Sequence, residues 1–186
     1  VHLELLERWA RQLQRVDGEA VLRCHLDAHV EVIGPTAIAA SEPWAHDPEP
    51  PAVLFLRGRP VDMTQPRVAI VGTRRCTAYG RSVASELAAD LARAGVAVVS
   101  GVAAGIDGVA QRAALDAGGY VVGVVGTGLD QVYPRVNAEL WHRLAAHGTL
   151  LGEYPLGTPP AKWHFPARNR LIAALSDVVV VIESPE

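Results

Sequence analysis

The chain has 186 residues, 49% of them hydrophobic and 20% charged, enough for one full domain with a sizeable core and without a disordered tract. A formal net charge of −3 excludes wholesale electrostatic binding of nucleic acid, and the longest apolar run, around Tyr120 to Val125, is too short to span a membrane. Cys24 and Cys76 fit neither a metal spacing nor a disulfide framework, and no secretory signal is visible, so a reducing cytoplasm is the expected compartment. The start at Val1 rather than Met points to a trimmed or fragmentary chain.

Residues 3–28 read as one or two amphipathic helices, with Leu3, Leu6, Trp9, Ala10, Leu13 and Val16 on one side. His25 and His29, at i and i+4, have the spacing of a two-histidine metal pair, but no third ligand is in view and a metal is not expected. Val30 to Ile33 is a short strand candidate. Residues 34–52, rich in proline and alanine, read as a linker or an extended wrap. Val53 to Leu56 then enters the main domain as an edge strand, closed by Gly58 and Pro60.

From Arg67 to Ser100 the sequence spells one βαβ unit. The apolar run Val68 to Val71 suits a parallel strand covered on both faces. Gly72 to Arg75 forms the turn, Ala78 to Ala94 a helix stopped by Gly95, and Val96 to Val99 the next strand. The turn at the strand's carboxyl end is where an anion site is expected, facing the positive helix terminus. Further units follow: the turn Ser100 to Asp107 with a helix to Ala117, the strand Tyr120 to Val125 with the turn Gly126 to Asp130, and a helix from Asn137 to Ala146. A strand over Thr149 to Glu153 leads into a long proline-bearing loop, a short helix through Leu175 and a last strand, Val178 to Ile182. The fold class predicted is α/β: a Rossmann-like, mostly parallel sheet with helices on both faces, plus a small N-terminal helical segment. Residues 1–50 form that segment and its linker, and residues 51–186 the Rossmann-like domain.

The familiar nucleotide chemistries are missing. Gly72-Thr73-Arg74 lacks the later glycines of a dinucleotide fingerprint, Ser100 stands where a ribose-binding acid would end the second strand, and no P-loop or nucleophile elbow occurs. Asp107, Asp130 and Glu153 lie at strand exits, but each is better explained as a cap or loop-organising acceptor than as an acid–base group. Charge is unevenly spread instead. Residues 67–112 hold six arginines against three acids, and residues 154–176 hold Lys162, Arg168 and Arg170 with no acid at all. A single-strand nucleic-acid site needs cations for phosphates and planar groups for bases, and Lys162, Trp163, Phe165, Arg168, Asn169 and Arg170 supply both within nine residues. Arg74 and Arg75 stand on a neighbouring strand exit. Arginine richness equally reflects a GC-rich genome, and Trp163 and Phe165 are equally readable as loop anchors packed on the sheet.

Four ordered motifs carry a resemblance. They are Gly72-Thr73-Arg74-Arg75 with Thr77 and Tyr79-Gly80; Ser100 to Asp107; Gly126 to Asp130 with Tyr133-Pro134 and Asn137; and Phe165-Pro166-Ala167-Arg168-Asn169-Arg170. In that order, over residues 53–182, the chain resembles the DNA-processing protein A family, also called DprA or Smf. The resemblance implies a non-catalytic protein without cofactor or metal that binds single-stranded DNA, protects it during natural transformation (competence) and loads the RecA recombinase onto it, as a homodimer. It implies DNA contacts from Gly72, Thr73, Arg74, Arg75, Gly101, Gly105, Lys162, Phe165, Arg168, Asn169 and Arg170. Arg74 would meet phosphate, Lys162 and Arg168 would add positive charge, and Phe165 would stack or wedge near a base. Asn169 would hold the pocket or bond a phosphate, and the glycines would let backbone amides approach.

Thr73 stands where the family usually has serine, and Ala104 where it commonly has arginine. The family also continues past the position of Glu186 into a Gly/Ser-rich turn, a helix and a strand, so weaker DNA binding or a monomer is expected of this chain. Two rival readings are a nucleotide-processing hydrolase of the lysine-decarboxylase-like Rossmann type and a small-nucleotide sensor or pure interaction module. The run Ile182-Glu183-Ser184-Pro185 does not open the Pro-Gly-Gly-x-Gly-Thr loop of the first.

Overall fold

The computed structural model of the chain describes residues 16–44, 47 and 49–184. Its elements are α1 (Gly18–Asp27), β1 (Glu31–Ile33), α2 (Pro35–Ala39), β2 (Leu54–Gly58), β3 (Arg67–Val71), α3 (Ala78–Arg93), β4 (Ala97–Ser100), α4 (Ile106–Asp116), β5 (Val121–Val124), α5 (Ala138–His147), β6 (Thr149–Gly152), α6 (His164–Ala174) and β7 (Val178–Val181). Single 3₁₀ turns lie at Glu42–Trp44 and Arg135–Asn137. The part of the first predicted helix that runs over residues 3–15 falls outside the described residues.

The seven strands form one sheet in the order β1-β2-β6-β5-β4-β3-β7. The five strands from β6 to β7 are parallel, and β1 and β2 add on antiparallel. All four residues of each of β4, β5 and β6 are buried, which is why these strands read as unbroken apolar runs rather than alternating ones. One face packs against α3, α4 and α5 through Ala84, Ala88, Ala110, Ala114, Trp141 and Leu144. The other packs against α2 and α6 through Ile38, Leu171, Ile172 and Leu175. The Rossmann-like α/β layering is the one predicted.

Two local readings are corrected. β2 is an interior strand, because the three-residue β1 pairs Val32 with Phe55 on its outer side; Leu54, Phe55 and Leu56 are all buried. Residues 34–52, expected as a linker or wrap, hold α2 and a 3₁₀ turn that bury Ile38 and Trp44 in the second core layer. α1 also differs from a simple amphipathic helix: Val21, Leu22 and Leu26 are exposed and its buried residue is His25. That ring stacks on Phe55 at 4.8 Å, its Nδ1 lies 2.8 Å from the Val21 carbonyl, and its Nε2 accepts from the Leu156 N–H at 3.1 Å. Nδ1 thus bonds within α1 and Nε2 ties the helix to the long loop after β6.

The chain proceeds from β3 through β4, β5 and β6 in one direction across the sheet, then returns to place β7 on the other side of β3. At that reversal α3 leaves on one face and α6 arrives on the other, so the carboxyl ends of β3 and β7 open into a crevice, the usual ligand position in open α/β sheets.

Candidate functional site

The start of α3, exposed at Thr77 to Tyr79, is capped from within the chain. The Thr77 hydroxyl accepts from the Gly80 N–H at 3.0 Å, and the Glu183 carboxylate accepts from the Thr77 N–H at 3.0 Å and the Thr77 hydroxyl at 3.1 Å. The Thr73 N–H donates to the Glu183 carbonyl at 2.7 Å. The anion expected at the start of α3 is thus a carboxylate of the chain itself, delivered from just beyond β7. Glu183→Ala is expected to destabilise the fold by about 1 kcal/mol through loss of this cap, read as a lower urea midpoint at constant m-value.

The glycines at the strand exits leave room that the protein fills. A Cβ on Gly72 would lie 2.8 Å from the Glu183 carbonyl oxygen and from Ile106 Cγ1. Gly105, at φ +82°, brings the start of α4 against the Thr73 carbonyl and the Arg74 backbone, a conformation and a contact that no side chain tolerates. The Ile106 N–H donates to the Thr73 carbonyl at 3.2 Å, so the two turns are locked to each other. At Gly101 a Cβ would fall 2.5 Å from Arg168 Nη2 and 2.6 Å from Asp107 Oδ2.

Those two charges form the floor of the crevice. Arg168 is only 4% exposed; its Nη1 donates to the Gly101 carbonyl at 2.7 Å and to the Val124 carbonyl, and its Nε has no partner among the described residues. Burial lowers its pKa to about 10, against the opposing pull of Asp107, and Arg74 adds to the lowering. The Asp107 carboxylate accepts from the Gly101 N–H at 3.0 Å, and burial raises its pKa despite Arg168 beside it. Asp130 and Glu153 are likewise structural: Asp130 accepts from the Gly157 N–H at 2.9 Å, and Glu153 pairs with Arg170.

Above this floor stands a stack. The Arg74 guanidinium carbon lies 5.4 Å from the centroid of the Phe165 ring, and Tyr133 stacks on Phe165 at 5.3 Å with the planes 26° apart. Such an arginine is attracted by the ring's quadrupole while keeping its donors for an outside acceptor. Arg74 is exposed and Phe165 half-buried. The stack divides the crevice in two: a cavity of about 300 Å³ beside Val71, Gly72 and Asn169, and one of about 130 Å³ beside Gly126, Thr127 and Tyr133. Arg74, Ala103, Phe165 and Arg168 line both.

Of the residues predicted from sequence, Gly72, Arg74, Gly101, Phe165, Arg168 and Asn169 meet in this crevice. Thr73 and Gly105 support it from behind: the Thr73 hydroxyl accepts from the Arg75 N–H at 3.2 Å. Arg75 and Lys162 are exposed and line neither cavity, and Arg170 turns away to Glu153. Arg168 therefore contributes its charge from within the fold rather than from the surface. Tyr133 belongs to the stack without having been singled out; its signal was the Tyr133-Pro134 pair following the glycine-bearing turn.

The class defined so far is that of a Rossmann-like α/β domain whose switch-point crevice presents a guanidinium and stacked rings, with the start of α3 already capped from within. Comparison with known proteins narrows this. The family described as DNA recombination-mediator protein A matches residues 40–186. The chain belongs to that family.

It is 45% identical over 139 residues to the DNA processing protein DprA of Bacillus subtilis, covering 74% of this chain and 47% of that protein. To a DNA processing protein DprA of Mycobacterium tuberculosis it is 49% identical over 148 residues, covering 78% and 37%. The crystal structure of the Streptococcus pneumoniae DNA processing protein A superposes with a TM-score of 0.77 at 34% identity, over 86% of this chain and 57% of that one. A Helicobacter pylori structure of the same protein, solved to explain its single-stranded DNA binding mode, superposes with a TM-score of 0.75 at 34% identity, over 83% and 69%. The chain spans about half or less of the length of these two curated relatives.

Proposed function

We propose that the chain binds single-stranded DNA in the crevice at the exits of β3, β4 and β5, without catalysing a reaction and without a cofactor. Arg74 meets a backbone phosphate, Phe165 stacks with a base, Asn169 lines the larger cavity, and Lys162 and Arg75 add positive charge at the rim. The observation that carries this reading is the Arg74–Phe165–Tyr133 stack, a cation and two rings presented together above a crevice. It is the pairing of charge and planarity that single strands require. The H. pylori relative, described by its single-stranded DNA binding mode, supports the same reading. In the longer proteins of the family we extend it to a cytoplasmic homodimer that protects incoming DNA during natural transformation and hands it to a RecA-type recombinase.

Phe165→Ala tests the stacking half of the proposal. Stacking releases no counterions, so the variant is expected to weaken binding of oligo-dT by about 1–3 kcal/mol while leaving the slope of affinity against salt unchanged. Fluorescence anisotropy at several salt concentrations reads both quantities. An unchanged affinity would remove Phe165 from the site, and turnover of a nucleoside monophosphate by the wild type would replace binding with hydrolysis.

A further inference from the structure

Trp163 is the one large aromatic side chain among the described residues of α6 and its cap that the crevice does not use. It is 66% exposed, whereas Trp44 and Trp141 are buried. Leaving so large an apolar surface in water forgoes the stabilisation that burial gives, so a ring held there against other rings calls for an explanation. The ring packs against two neighbours. It stands at 80° to His164 with the centroids 4.1 Å apart, and at 76° to Tyr154 at 6.2 Å. Tyr154 and His164 stack on each other at 4.0 Å, and His164 is buried with Nδ1 2.9 Å from the Gly126 carbonyl. Three rings thus run outward from the exit of β5, from buried His164 through half-buried Tyr154 to exposed Trp163.

Its place relative to Phe165 matters. Trp163 caps α6 and Phe165 lies two residues on, so the helical rotation sends the two rings to opposite sides of the helix start. Phe165 faces the Gly126 side of the crevice, where it and His164 lie close to Gly126. Exposed Lys162 precedes Trp163. Glu153, the acid that precedes this segment in the chain, pairs with Arg170, and residues 154–176 contain no acid. A strand leaving the Phe165 subsite over the start of α6 therefore meets a second ring beside a second cation.

We propose that Trp163 is a second base-stacking subsite, taking a nucleotide adjacent to the one at Phe165 while Lys162 meets the intervening phosphate. The inference rests on the proposed single-stranded DNA binding and extends it to a path across the start of α6. Tyr154 and His164 are positioning residues that hold the ring upright.

The test is titration of oligo-dT, and of an abasic oligonucleotide of the same length, into the wild type, Trp163→Ala and Trp163→Phe. Trp163→Ala is expected to bind oligo-dT roughly five-fold or more weakly, with an unchanged salt slope, and to bind the abasic strand as the wild type does. Trp163→Phe is expected to keep most of the affinity. Oligo-dT is also expected to quench tryptophan fluorescence in the wild type and to lose most of that effect in Trp163→Phe. Wild-type affinity of Trp163→Ala for oligo-dT would overturn this subsite while leaving the Phe165 site standing, as would an equal loss on the abasic strand. Failure of the wild type to bind either strand would overturn the DNA-binding reading itself.

Discussion

Arg168→Met is expected to destabilise the protein by about 3–5 kcal/mol, the cost of leaving a buried charge without its counter-charge. Methionine fills much of the volume but cannot bond the Gly101 and Val124 carbonyls, which then stay unpaired in the interior, and it strands the Asp107 carboxylate beside them. At roughly 2–4 °C per kcal/mol for a domain of this size, the thermal midpoint falls by many degrees. Adding Asp107→Asn to Arg168→Met should recover part of the loss, because no buried charge is then left alone. A double-mutant cycle by chemical denaturation reads this coupling. A loss under 1 kcal/mol for the single variant would show that the floor of the crevice is not held by this arginine.

Arg74→Ala is expected to behave in the opposite way. The side chain is exposed and lies over the Phe165 ring, so stability should change by less than about 0.5 kcal/mol. Its cost falls on binding. Removing one phosphate contact on a single strand lowers the slope of log affinity against log salt by about 0.7, and the affinity lost is greatest at low salt. The contrast with Phe165→Ala, which should lower affinity at constant slope, separates the two members of one stack. An Arg74→Ala protein with an unaltered slope would place the phosphate elsewhere.

The fold was legible in the sequence because a parallel sheet covered on both faces leaves unbroken apolar strands, and because glycines punctuate the strand exits. The strand candidate at Val30 to Ile33 carried no sign of which strand it would pair with, and so β2 read as an edge. The site was legible as a set of residue types but not as a set of roles. Arg74 and Arg168 look alike in sequence, yet one is exposed and the other is 4% exposed, because Arg168 bonds carbonyls 44 and 67 residues away. The same distance hid Glu183, whose carboxylate takes the helix terminus expected for an outside anion, 106 residues from Thr77. Arg170 was counted as a binding cation because its partner Glu153 lies 17 residues back, across the long loop. The glycines were read as space for a ligand, and the space proves to be filled by Ile106, Glu183 and Arg168. What locates an arginine or a glycine in function is the partner that tertiary structure brings to it.

The most direct measurement is fluorescence anisotropy of a labelled oligo-dT titrated with the wild-type chain at two salt concentrations, beside a duplex of equal length and with a mononucleotide as competitor. A site built from Arg74, Phe165 and Tyr133 predicts salt-sensitive binding that prefers the single strand to the duplex, with little displacement by the mononucleotide. Equal affinity for duplex and single strand, or complete displacement by the mononucleotide, would contradict the assignment of this crevice to a DNA strand.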